Sequence, residues 1–358
     1  MSPLRRGAVR RAPSEGDVIL AALDAAYDLV ADDQDWLSAL LGAVAPALDR
    51  GLGLVAFFYD ISNSARVGSS NGVGLRVDPE ALANVAPLMQ AYAPELIERS
   101  LGGPQLVGTT FEYLGMVPPA APGGAPSVRD LIDIGLPAAY LETMRTSQGV
   151  EALCVRAHRP EGLGLLIGAT LARYGRTSKP FRARWSRVSA HIASAWRLRD
   201  QLRQTGRPLG TPAAVLTPAG KLEAVAFDPS RGQRDVLKAA VRDRERARGP
   251  LRREAPDEAR DLWQGLVQGR WSLVDQIDRD GRRFVLARRN EPATPALPGL
   301  TVRERQVVSL ASQGYANKLI AYSIGLSVST VATHLARAVP KLNVPARRRL
   351  ALRRASSK

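Results

Sequence analysis

The last 62 residues, Leu297 to Lys358, hold eleven basic side chains against one acidic one, Glu304, and so carry +10 of a net charge of +16. A segment so cationic would ordinarily be a solvated tail, but its apolar residues recur with a helical period. It has to fold while presenting a strongly positive surface. The partner such a surface attracts is a polyanion, because binding releases condensed counterions.

The order of residues predicts how that segment folds. Thr301 and Glu304 have the spacing of a capping box, in which the threonine oxygen accepts from the amide three residues on and the glutamate reaches back. Val307, Val308, Leu310 and Ala311 supply the apolar face of the helix that follows, and Gly314 stands where a left-handed stop is wanted. Asn317 is placed to cap a second helix with Ile320, Ala321 and Ile324 inward. Gly325, Leu326 and Ser327 read as a tight turn, with Ser327 capping a third helix. On that third helix Val331, Leu335, Ala338 or Val339, and Leu342 share the core face, while Ser329, Ala332, Thr333, Ala336 and Arg337 share the opposite one. A helix about 10 to 12 Å wide enters the roughly 12 Å major groove only if its exposed side chains are small, and these are small apart from one arginine.

The stretch LTVRERQVVSLASQGYANKLIAYSIGLSVSTVATHLARAVPKLNVPARRRL resembles the helix-turn-helix domain of LuxR-type transcriptional regulators. The resemblance rests on Leu300, Thr301, Arg303, Glu304, Val307, Gly314, Asn317, Lys318, Ile320, Ala321, Leu326, Ser327, Thr330, Val331, His334, Leu335, Lys341, Leu342, Val344, Arg347 and Leu350, in the family's spacing over about 50 residues. It implies an all-α unit of four helices at residues 299–358, the last at about Pro345 to Ala355 and commonly a dimerising one. It also implies double-stranded DNA as the partner, with Lys318, Ser329, Thr333, His334, Arg337, Lys341 and Arg347 as the contact residues; His334 has helix packing as an equal alternative role. The sequence departs from the family at Ala332, where lysine is usual, and at Leu319, where glutamate is usual. Pro340 lacks a backbone donor and is expected to end the recognition helix, leaving about Val328 to Val339 to insert.

The remaining residues suffice for further domains, since 358 residues make two or three units at roughly 100 to 200 each. One cysteine and three histidines exclude a disulfide scaffold and argue against a zinc cage. No apolar stretch follows the basic start, and Tyr113 to Val128 is interrupted by four prolines, so neither an export signal nor a membrane span is expected and the protein reads as cytoplasmic. Residues 1–14 read as a basic disordered arm. Two helices follow, the first with Ile19, Leu23, Ala26, Tyr27 and Val30 on one face, the second with Trp36, Leu37, Leu40, Leu41, Val44 and Leu48 inward. Gly53 to Tyr59 reads as a buried strand, Val117 to Pro126 as a loop, and Val150 to Val155 with Leu163 to Leu171 as a hairpin.

From Ser178, the residues Phe181, Trp185, Val188, Ile192 and Ala195 recur at four, three, four and three, the stripe of a long exit helix that could pair between two copies of the chain. After a linker at Thr205 to Pro212 come two short strands around Thr217-Pro-Ala-Gly, a charged helix from Arg231 to Arg248 and a hairpin at Asp280-Gly281. Residues 15–204 thus resemble a GAF-type sensor and 213–291 a small PAS-like domain, joined by a 292–298 linker to a tethered end.

The fold expected is therefore multidomain, α+β sensor modules followed by an all-α helix-turn-helix domain. The function expected is DNA-binding transcription regulation, with a homodimer, a small-molecule effector and RNA polymerase as partners, no assigned cofactor and no enzymatic activity. No phosphate-binding G-x-x-x-x-G-K-[ST] loop is present, and no nucleophile, base and partner cluster emerges. The alternative is a signalling or protein-interaction adaptor whose helix-turn-helix has lost DNA affinity. Gly162, Gly164 and Gly168 read as turn and packing sites, Cys154 as core, His158 and His191 as structural, and the run RDRERARGPLRRE as a solvated face.

Overall fold

The computed structural model describes residues 12–62, 67–103, 105–116, 136–159, 162–205, 212–226, 231–263, 266–267, 271–277, 281–290, 299–312 and 315–342. Arg347, the fourth helix, the 117–126 loop, Gly314, and most of the arm and of both linkers lie outside the described residues.

Ser14 and Asp17 form a capping box that starts α1 (Glu15–Ala26), and Asp32 caps α2 (Asp33–Leu48) by accepting from the Asp35 amide. Every α2 residue predicted inward is buried, and the Trp36 indole donates to the Ala26 carbonyl at 2.9 Å, locking the two helices together. Val30, expected on the α1 face, is 94% exposed, because the helix stops at Ala26 and the chain turns before reaching it.

Five strands, β1 (Leu54–Asp60), β2 (Gly68–Leu75), β3 (Val107–Thr109), β4 (Glu151–His158) and β5 (Leu163–Leu171), make an antiparallel sheet in the order β2-β1-β5-β4-β3. Strand alternation splits its side chains: Leu54, Ala56, Leu165 and Ile167 face α1, α2 and the exit helix, while Phe57, Tyr59, Cys154 and Leu166 face short helices at 79–97, 110–114 and 138–146. Gly164 is bare because a Cβ there would stand 2.0 Å from the Tyr59 ring. Cys154 is core, its thiol pushed up to about 12 by burial.

The exit helix, α3 (Lys179–Thr205), is buried on every side from His191 to Arg199. Trp185, Val188, Ile192 and Ala195 lie against β4 and α1 of the same chain. The stripe that suggested pairing between protomers is therefore consumed inside one protomer, and the dimer expected through it is withdrawn. Heptad-like spacing marks a helix with one apolar seam without saying what covers the seam.

A second sheet, from β6 (Ala214–Leu216), β7 (Leu222–Val225), β8 (Leu266–Val267), β9 (Trp271–Ile277) and β10 (Arg283–Arg289), has the order β7-β6-β10-β9-β8, the same permutation as the first. One face packs on α4 (Arg231–Arg248), which with α1 also receives α5 (Pro256–Leu262); the other reaches α3, where buried Asn290 donates to the Ser194 carbonyl at 2.9 Å and accepts from Arg197 Nε at 3.2 Å. The charged run at the end of α4 is a solvated face only in part, at Arg242, Arg246, Arg253 and Glu254. Arg244 is fully buried against Asp275, and Arg248 and Arg252 pair with Asp24 of α1, so the charges staple the second unit to the first.

Candidate nucleic-acid interface

The carboxy-terminal helices are α6 (Val302–Ser312), α7 (Asn317–Ile324) and α8 (Val328–Ala338). Thr301 and Glu304 make the reciprocal bonds their spacing predicts, amide to Oε2 at 2.8 Å and amide to Oγ1 at 3.3 Å. Asn317 does not cap α7. Ala316 holds that position without a side-chain bond, and Asn317 is the first helical residue, buried in the core. Gly325, in the left-handed conformation with φ of 65°, stops α7, and Ser327 caps α8 by accepting from the Thr330 amide at 3.0 Å. Across this turn α7 and the segment Val328–Lys341 meet at 102°, within the roughly 90 to 120° of a helix-turn-helix.

The faces of α8 separate as the repeat predicts. Val331, Leu335, Ala338 and Val339 are buried against α6 and α7, while Ser329, Thr333, Ala336 and Arg337 are exposed and Ala332 is half-buried. The helix ends at Ala338 and passes into a 3-10 turn through Pro340, so the exposed surface is three turns long. Among the described residues the unit docks on the rest of the chain chiefly through α7, which packs on α3. Its small outward face is open to solvent while docked.

Residues 298–353 match the luxR family of bacterial regulatory proteins. The carboxy-terminal segment is a luxR-family domain. At the level of that family this is a DNA-binding transcription-regulator domain. No curated protein matches the chain. Among the described residues no single helix is long and apolar enough to cross a membrane.

Within the luxR-family domain the predicted contact residues fall into groups. Ser329, Thr333 and Arg337 lie together on the exposed α8 face, His334 is half-buried at its edge, and Lys318 is exposed near the start of α7. Thr333 donates its hydroxyl to the Ser329 carbonyl at 3.0 Å, leaving an oxygen that can still accept. Lys341 has a role the sequence did not show: its ammonium lies 2.8 and 2.9 Å from the two oxygens of buried Glu304, tying the end of α8 to the start of α6.

That pair makes the domain acid-sensitive. The Lys341 ammonium and the Thr301 amide hold the Glu304 carboxyl at about 2 against its ordinary 4.5. Because the folded value is depressed, the contribution to stability is whole above about pH 4.5 and is lost as pH falls toward 2. Glu304→Gln is expected to flatten the acid limb of the domain's stability in that window, measured as melting temperature from pH 5 to 2; an unchanged limb would assign the acid loss elsewhere.

The sequence also missed the joint between this domain and the sheets. His191 of α3, buried, has Nε2 2.7 Å from the Tyr322 hydroxyl of α7 and Nδ1 3.4 Å from the Tyr27 hydroxyl of α1, with the Trp263 ring edge-on at 5.2 Å. A neutral imidazole satisfies both tyrosines, one nitrogen donating and the other accepting, and burial pulls its pKa down to about 4. The available signal was a single histidine inside an otherwise apolar helical stripe.

Proposed function

We propose that the chain is a transcription regulator that inserts α8 into the major groove of double-stranded DNA. Ser329, Thr333, His334 and Arg337 meet base edges, Arg337 being the long donor suited to a guanine, and Lys318 contacts the phosphate backbone. Lys341 acts first on Glu304, and its contribution to DNA contact is secondary. The two α/β units, GAF-like and PAS-like in layout, deliver the input through α3, with a small-molecule effector, a second copy of the chain and RNA polymerase as proposed partners and the cytoplasm as the proposed location. No catalytic role is proposed.

The observation that carries this reading is the open, small-residue face of α8 on a unit docked by a different helix. It also weighs against the adaptor alternative, in which that face would be covered or obstructed. The test is a gel shift of the full-length protein on duplexes selected from a random pool. Arg337→Ala is expected to weaken the selected duplex about tenfold to a hundredfold with little effect on non-specific duplex, and raised salt to weaken both. Salt-insensitive binding, or an unchanged preference in the variant, would refute the reading.

A further inference from the structure

The second face of the first sheet carries a hollow. Val55, Gly168 and Cys154 sit side by side in register across β1, β5 and β4, and the glycine leaves the middle of that row without a side chain. Above it the short helices bring Met89 and Met144, and the cavity between them is about 100 Å³. Among the described residues that line it none is charged, so it offers nothing to an ion, whose transfer there would go uncompensated. Its lining does include hydroxyl-bearing residues, Thr110, Tyr113, Thr143 and Thr170 among them, and one further hydroxyl stands out. The Tyr140 ring lines the cavity, and its buried hydroxyl makes no hydrogen bond of ordinary geometry, although the Thr110 hydroxyl beside it, which donates to the Ala152 carbonyl at 3.5 Å, keeps an oxygen able to accept.

We infer that this cavity binds a small uncharged organic molecule of single-ring size bearing one hydrogen-bonding oxygen, which Tyr140 would satisfy. The volume makes one ring the upper limit, since it falls below the roughly 150 Å³ of an apolar cavity that accommodates benzene, and a ring enters only as the methionine side chains give way. The softness of the wall suits a flat, polarisable ring, two methionines and a thiol being adaptable contacts. The inference deepens the reading of the amino-terminal units as input modules and rests on it only for its biological meaning. The φ of Gly168 is not left-handed, and a Cβ there would meet the side-chain ends of Leu166 at 3.2 Å and Val55 at 3.4 Å, so alanine enters only as these give by a few tenths of an ångström, and it shrinks the hollow.

The test is calorimetric titration of the full-length protein, without DNA, by phenol, benzene and benzoate. Phenol and benzene are expected to bind and benzoate not. Tyr140→Phe should weaken phenol roughly fivefold to tenfold while leaving benzene within about twofold. Gly168→Ala should weaken both on the order of tenfold. Benzoate binding as tightly as phenol, phenol affinity unchanged in both variants, or no binding of any of the three at millimolar concentration would overturn the assignment. Since DNA is absent, any of those failures leaves the groove-binding role of α8 standing, and a chain that ignores duplexes yet shows the expected phenol series would sink only the regulator reading.

Discussion

Alanine at Asp275 is expected to cost about 3 kcal/mol of stability. The Asp275 carboxylate on β9 accepts from Arg244 at 2.6 Å and from Arg283 Nε at 3.2 Å, and also pairs with Arg248. Burial would raise its pKa, but the surrounding arginines outweigh burial and hold it below the usual carboxylate range. Arg244 is buried, and burial first, then Arg248, brings its pKa down to about 10. Removing the carboxylate strands a buried cation, and that stranding is the cost, not the lost attraction itself. The double variant Asp275→Ala with Arg244→Met should recover most of the loss, because the methionine fills similar space without a charge. Urea unfolding followed in both variants checks this; a single variant within 0.5 kcal/mol of the parent, about what surface positions tolerate, would return the run to a solvated face.

The fold was legible where one periodicity had one explanation. Trp36, Leu37, Leu40, Leu41 and Val44 read as the inward face of a helix and are buried, and Leu163 to Leu171, read as one arm of a hairpin, is a strand buried over most of its length. It was not legible where a pattern fixes an element but leaves its neighbour open. The stripe of α3 reads the same whether β4 or a second protomer covers it, and Arg244 reads the same whether water or Asp275 receives it. Both outcomes depend on residues far away in sequence, Arg244 and Asp275 being separated by the end of α4, two short helices and a strand.

The interface shows the same division. Ser327 capping α8 and Pro340 ending it are local effects and stand in the sequence as they stand in the structure. The partner of Lys341 is 37 residues away, and no local rule distinguishes a lysine on a phosphate from a lysine on Glu304. His191 meeting Tyr322 is still more remote, and that contact connects the helix-turn-helix to the sheets through α3, the element that also receives Asn290 of the second unit. Three modules therefore touch one helix within three turns, between His191 and Arg199, and a shift of α3 along its axis would be felt by all of them.

Leu335→Ala should separate folding from recognition in α8. Leu335 is buried, in the core shared with α6 and α7, and Arg337, two residues on, points to solvent. Truncating the leucine removes apolar contact and leaves a cavity, a loss of roughly 2 to 5 kcal/mol. The three described helices share a small core, so a loss of that size is a large part of what holds them, and duplex binding of every kind is expected to fall together. Arginine truncation should do the reverse, lowering preference for the selected duplex at unchanged stability. Hydrogen exchange distinguishes the two: in Leu335→Ala the amides of α6 to α8 should exchange faster while β4 and β5 keep their protection, whereas in Arg337→Ala neither set should change. If Leu335→Ala loosened the sheets equally, the luxR-family domain would not be a separate cooperative unit, and α7 docked on α3 would be part of a single core whose unfolding DNA binding merely reports.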